Sequence, residues 1–254
     1  MRIISLKTFV GCFILFFSIN SFAKDKILTF SYWSEASPPF VFLDSQDKQN
    51  IDHGIIKELA LLISSQLNAT PHFINIPVQR TESQLIDGAI DLNCITNPIW
   101  KKKPNEYHWS PALFDGADRF LVKSENKHSL AKFSDLKGKV LGVYNGYSYH
   151  PTVMKMIEEA TLTTVKITGI NQGIKLLLLD RIDALIDFDI LLNYRINKGY
   201  EESLALADLY AGRYALFCAY SKKMQLQFKK ETIDQAFKDL ISQGKISELV
   251  NRFN

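Results

Sequence analysis

Strand and helix signals alternate along this chain, and that alternation constrains the fold more than any other feature. Residues 27–33 alternate as a strand does, while Ile55, Ile56, Leu59, Leu62, Ile63 and Leu67 recur at helical spacing behind Asp52, the expected helix cap. Asn68 and Pro71 end that helix. A strand over 72–76, a short helix over 81–87 closed by Gly88, and a strand over 90–95 follow. Strands joined through helical crossovers run parallel and need helices over the sheet, so an α/β fold is expected.

The pattern then repeats. Strands are expected at 118–123, 140–144, 165–168 and 182–186, with a helix opened by Pro151 and another over 172–179. The helix-to-strand corners Gly88-Ala89-Ile90-Asp91-Leu92 and Asp180-Arg181-Ile182-Asp183-Ala184-Leu185 match in kind. A strand over 213–220 and a helix with Ile233, Phe237, Leu240 and Ile241 inward would return to the first unit. The expected division is residues 24–112 with 213–254 as one lobe and 113–212 as the other.

Residues 1–23 read separately, because Arg2 and Lys7 precede an apolar run that ends in Ser21-Phe22-Ala23. This is the pattern of a signal peptide cut after Ala23, with the periplasm as destination. The apolar run falls short of the roughly 20 residues of a spanning helix. Cys12 lies inside that run, which is the wrong place for a lipoprotein cysteine. Taking Arg2 and Lys7 from 30 basic residues leaves 28 against 27 acidic ones, a balance that argues against nucleic acid as partner. Cys94 and Cys218 remain, either bridged in an oxidising compartment or free and buried. The five histidines show no metal-ligand or catalytic spacing, and neither a cofactor nor a catalytic residue is expected. A monomer is expected.

Open α/β sheets bind ligands at the carboxyl ends of their strands, which places Trp33, Phe40 and Thr96 at a candidate cleft; the alternative for Trp33 and Phe40 is that they pack the lobe edge. Arg80, ahead of the short helix, has the planar fork that grips a carboxylate; the alternative is a surface cap or a structural ion pair. Gly146-Tyr147-Ser148 lies between a strand and a helix amino end, where free N–H groups attract anions; the alternative is an ordinary turn with Ser148 as a cap. Lys101, Lys102 and Lys103 read as a solvated loop.

Taken in order, Pro38-Pro39-Phe40, Gly54 to Ala60, Pro77-x-x-Arg80, Gly88-x-Ile90-Asp91, Trp109-Ser110-x-x-Leu113, Asp135 to Val143 with Gly146, Arg181 to Ala184 and Gly244-x-Ile246 resemble family 3 of the extracellular solute-binding proteins, the polar-amino-acid type serving ABC importers. The resemblance implies a type II periplasmic binding protein: two α/β lobes, each a mixed, mostly parallel sheet, joined by two crossover strands around a ligand cleft. It implies a small polar, carboxylate-bearing or amino-acid-like solute and an ABC permease as partner. Alternatives on the same scaffold are a ligand-sensing partner of a membrane receptor and a cyclohexadienyl dehydratase-like enzyme. Many members carry Thr-x-x-Arg after the third strand, the arginine gripping the ligand carboxylate. Here Thr96-Asn97-Pro98-Ile99-Trp100 stands there, leaving Thr96, Asn97 and Trp100 as candidate ligand residues and Arg80 as candidate substitute; Trp100 either lines the cleft or covers the crossover. Relatives often place an ammonium-binding aspartate after the strand at 182–186, which points to Asp187 or Asp189.

Overall fold

The computed structural model describes residues 26–33 and 37–253. The signal-peptide reading lies outside these residues. One sheet carries β4-β1-β5-β11-β7-β10-β8-β9 in that order, with β6 also paired to β11. Its first half comprises β1 (Lys26–Tyr32), β4 (Ala69–Asn75) and β5 (Leu92–Thr96), and β1 runs parallel to both neighbours. Its second half comprises β8 (Val140–Tyr144), β9 (Thr163–Ile167) and β10 (Ala184–Phe188), with β8 parallel to β9 and β10. Two long antiparallel strands, β7 (Phe114–Lys123) and β11 (Leu204–Tyr220), pair with each other and pass from one half to the other. Two lobes joined by crossover strands result, as expected of the fold. Both crossovers begin earlier than the sequence suggests, because Asp115, Asp118, Asp208 and Gly212 interrupt their apolar runs. The short strands β2 (Phe42–Leu43) and β3 (Ile51–His53) form a separate hairpin, and β6 is His108–Trp109.

The helices cover the sheet by burying one stripe each. In α1 (Ile55–Gln66) the buried set includes Ile55, Leu59, Ala60 and Ile63, the face that the spacing marked out. Together with Phe30, Leu92 and the inner face of α6 (Lys230–Ser242), these residues form the first lobe's core. Each fully buried Leu, Ile or Phe contributes about 1.5–3 kcal/mol. The cap of α1 differs from expectation: Gly54, at φ 119°, stands at the N-terminus, and Asp52 instead meets the His53 ring at 2.9 Å. Only a residue without Cβ fits at Gly54, because an added Cβ would lie 2.7 Å from the Phe40 carbonyl oxygen. That approach lets Pro39 and Phe40 accept the Ile55 and Ile56 amides, which fixes Phe40 over the cleft.

The remaining helices are α2 (Val78–Asp87), α3 (Pro151–Glu158), α4 (Ile170–Leu178), α5 (Asp189–Ile196) and α7 (Lys245–Asn251). Sequence reading missed α5, whose eight residues carry only a weak helical stripe and no side-chain cap. Cys94 and Cys218 face each other across β5 and β11 and are disulfide-bonded, which resolves the alternative left by their count. Among the described residues no helix is long and apolar enough to cross a membrane.

Candidate functional site

The carboxyl ends of β1, β5, β8 and β10 converge on the gap between the lobes. Two adjoining cavities of about 130 and about 170 Å³ fill it, sharing Val78, Thr81, Asn93, Ile95, Tyr147, Asp187 and Phe188. One is walled by Trp33, Phe40, Tyr144 and Tyr147, the other by Thr96, Trp100, Lys101, Asp118 and Ser148. Rings meet across the gap: Trp33 and Tyr147 at 5.8 Å, Phe40 and Phe188 at 6.1 Å, Trp100 and Phe188 at 5.7 Å. Gly146, at φ 77°, approaches Gln79 so closely that an added Cβ would lie 2.7 Å from its amide nitrogen. The lobes therefore touch, and apolar walls of this kind desolvate a small ligand and strengthen its polar contacts.

Of the residues expected at the site, Trp33, Phe40, Thr96, Trp100, Tyr147, Ser148 and Asp187 line these cavities. Trp100 also packs on Tyr214 at 5.4 Å, so it touches both cleft and crossover. Three others are placed elsewhere. Asn97 accepts the Ile99 amide at 2.9 Å and donates to the Ala215 carbonyl at 2.7 Å, so it caps a turn and ties it to β11. Asp189 accepts the amides of Ala117 at 3.1 Å and Ile190 at 2.8 Å, which holds it at the start of α5 and outside the cleft. Arg80 is exposed and lines neither cavity.

The reason for the Arg80 displacement is helical phase. Helix α2 begins at Val78, a turn earlier than expected, so Val78 and Thr81, three apart, share the inward face and Arg80 turns away. Replacing Arg80 with alanine is accordingly expected to leave solute affinity within about twofold, as other exposed substitutions do. Titration calorimetry checks this, and a tenfold loss would return Arg80 to the site.

Lys101 was missed. Glu82 on α2 accepts the backbone amides of Lys102 at 3.3 Å and Lys103 at 2.8 Å and the Tyr107 hydroxyl at 3.0 Å, pinning the loop. Burial alone would raise the Glu82 pKa, but these donors outweigh it and hold the carboxyl below its ordinary range. With its neighbours tied down, Lys101 reaches the cavity while Lys102 and Lys103 stay exposed, so the solvated-loop reading holds for two of the three. Burial pushes the Lys101 ammonium down, and the Glu82 charge partly offsets this. No signal in the sequence separates Lys101 from its two neighbours.

Opposite stand two buried carboxylates. Burial raises Asp187 to about 6 against the Tyr144 hydroxyl, the Phe188 amide and the Arg195 charge, all of which favour its ionised form. Asp118, on β7, is raised to about 7 by burial first and by the Asp187 charge second. Sequence reading found no such titratable pair. The two lie 69 positions apart and meet only through the pairing of β7 with β10. The backbone also bends here: Ile95, a β-branched residue at φ 61°, is the extra residue where β5 shifts register against β11. Such a conformation costs about 1–3 kcal/mol and turns Ile95 and Thr96 into the cleft.

Two α/β lobes joined by two crossover strands around a small cleft with charges of both signs define a solute-binding protein of the two-lobed kind. Residues 32–254 match the bacterial extracellular solute-binding proteins, family 3, and the chain belongs to that family. Among solved structures it is similar to an amino acid ABC transporter substrate-binding protein from Streptococcus pneumoniae bound to L-arginine, at 18% identity and TM-score 0.72, covering 89% of this chain and 94% of that one. The GluR0 ligand-binding core in complex with L-glutamate is similar at 15% identity and TM-score 0.73, covering 91% and 98%. An arginine-specific periplasmic binding protein from Salmonella typhimurium is similar at 16% identity and TM-score 0.70, covering 89% and 98%. No curated protein matches the sequence.

Proposed function

We propose that this protein captures a small amino-acid-like solute in the periplasm and delivers it to an ABC importer. One observation carries the reading: Lys101 and Asp187 line the same cavity, yet they do not pair with each other. Lys101 is coupled to Glu82 and Asp187 to Tyr144 and Arg195. Charges of opposite sign that share one desolvated cavity without pairing with each other match a ligand that carries both an ammonium and a carboxylate. In this reading Lys101 and Thr96 take the carboxylate that the family's missing arginine would hold, and Asp187 takes the ammonium. The aromatic walls then meet the solute's side chain, and contacts from both lobes favour the closed arrangement over the open one. Family membership and the amino-acid-binding proteins among its structural relatives support the same class.

A thermal-shift screen of the mature protein against the L-amino acids, their decarboxylated amines and small dicarboxylates tests this. A true ligand at 100 times its Kd adds about 2.7 kcal/mol, which is about 5–10 °C in a chain of this size. At least one amino acid is expected to reach that range. Stabilisation by dicarboxylates alone, or by nothing in the panel, would sink the reading.

A further inference from the structure

Asp118 has no place in the contacts assigned so far. It is 6% exposed, its Oδ2 is fully buried without a hydrogen-bond partner among the described residues, and it lines the cavity shared with Asp187. A buried carboxylate in this condition costs several kcal/mol unless a partner arrives or it takes up a proton. Among the described residues no cation supplies that partner. Arg119, the next residue on β7, donates to the Ala207 carbonyl at 2.6 Å and stacks on Tyr210 at 3.7 Å. Arg195 on α5 bears on Asp187, and Lys101 is coupled to Glu82. The groups that do face Asp118 are Asp187 from β10, Asp189 from α5, the Tyr214 hydroxyl from β11 and Tyr149 from the loop before α3. Tyr214 favours the ionised carboxylate but makes no hydrogen bond of ordinary geometry with it, and its hydroxyl is likewise buried and unsatisfied. Trp100 and Phe188 close the space with their rings.

We propose that Asp118 is a second cation-binding residue of the cleft, forming with Asp187 a two-carboxylate subsite that holds the solute's ammonium group. This rests on the amino-acid-like reading above and narrows it: the solute must bring a protonated amine, and a carboxylate alone does not suffice. Two carboxylates around one ammonium satisfy more of its three donors than one can, and the cation relieves their mutual repulsion. In the empty cleft burial and that repulsion keep the pair partly protonated near neutrality. A bound cation lowers both pKa values, so the proton is released as the ammonium enters. Affinity therefore rises with pH towards neutrality and levels off once both carboxylates are ionised.

The test uses the mature wild-type protein and Asp118→Asn, titrated calorimetrically with L-arginine, L-lysine and L-glutamine, the amines agmatine and cadaverine, and whichever L-amino acid binds best in the screen. Titrations at pH 6, 7 and 8 in buffers of different ionisation enthalpy count the protons released. The expected result is proton release by the wild type at pH 6–7 and a loss of about 30-fold or more in Asp118→Asn, with the release diminished. The apo variant should melt no lower than the wild type, because a buried unpaired charge has been removed. Wild-type binding of an amine without proton release, or equal affinity and equal release in Asp118→Asn, overturns the subsite and leaves the solute class standing. Failure of the wild type to bind any amine-bearing compound overturns both.

Discussion

Asp187→Asn is expected to weaken capture of the amino-acid-like solute by about 100-fold or more, the largest effect of any single change in the cleft. Asp187 sits at the end of β10, 6% exposed, with the Phe188 amide at 2.8 Å already orienting one oxygen. An ammonium brought against it leaves water entirely, so removing the negative charge strands a buried cation, and losses of about 2–5 kcal/mol are usual for such pairs. Arg195, which favours the ionised Asp187, would be left without that charge as well. Titration calorimetry against the best amino acid in the screen measures the loss. A change below fivefold would show that the ammonium binds elsewhere.

The second large effect concerns stability. Cys94→Ala together with Cys218→Ala removes a disulfide that spans 124 residues of sequence and ties β5 to the returning crossover β11. Closing a loop of that length restricts the unfolded chain by about 4–5 kcal/mol in the chain-entropy treatment, although native disulfides commonly deliver about 2–4. In a protein of this size that is about 5–15 °C of melting temperature. Both cysteines belong to the first lobe's core, and alanine also leaves a small void there. Melting curves of the double variant, and of the wild type with and without reductant, give the comparison. A variant that melts within 2 °C of the oxidised wild type would show that the crosslink adds nothing.

Much of the cleft was legible because its walls follow strand ends. Thr96 ends β5, Trp33 follows β1 by one residue and Tyr147 follows β8 by three, so placing those strands placed the residues, while Phe40 belongs to the loop that leaves β1. Asp187 and Asp189 were inseparable at that level, since two positions of slip along one strand end exchange them. The start of α5 separates them: Asp189 spends an oxygen on the Ile190 and Ala117 amides, and Asp187 is left to the cavity. Arg80 went astray because the helix begins at Val78 and not at Thr81, which puts Arg80 inside its first turn and off the inward face that Val78 and Thr81 share.

Lys101 and Asp118 were invisible for a different reason. Each sits in an unremarkable local setting, one in a run of three lysines and one in an interrupted strand. Lys101 reaches the cleft because Glu82, 19 positions earlier, pins the loop beyond it. Asp118 acquires its meaning from Asp187 and Tyr214 on neighbouring strands.

The sequence by itself determined most of the alternation of strands and helices, hence the α/β fold and the end of the sheet where ligand is met, because hydrophobic period and turn chemistry act over a few residues. The tertiary structure alone decided which charges share the cavity and whether they are paired. Those depend on strand register, helix phase and burial, which are set by contacts between residues tens of positions apart.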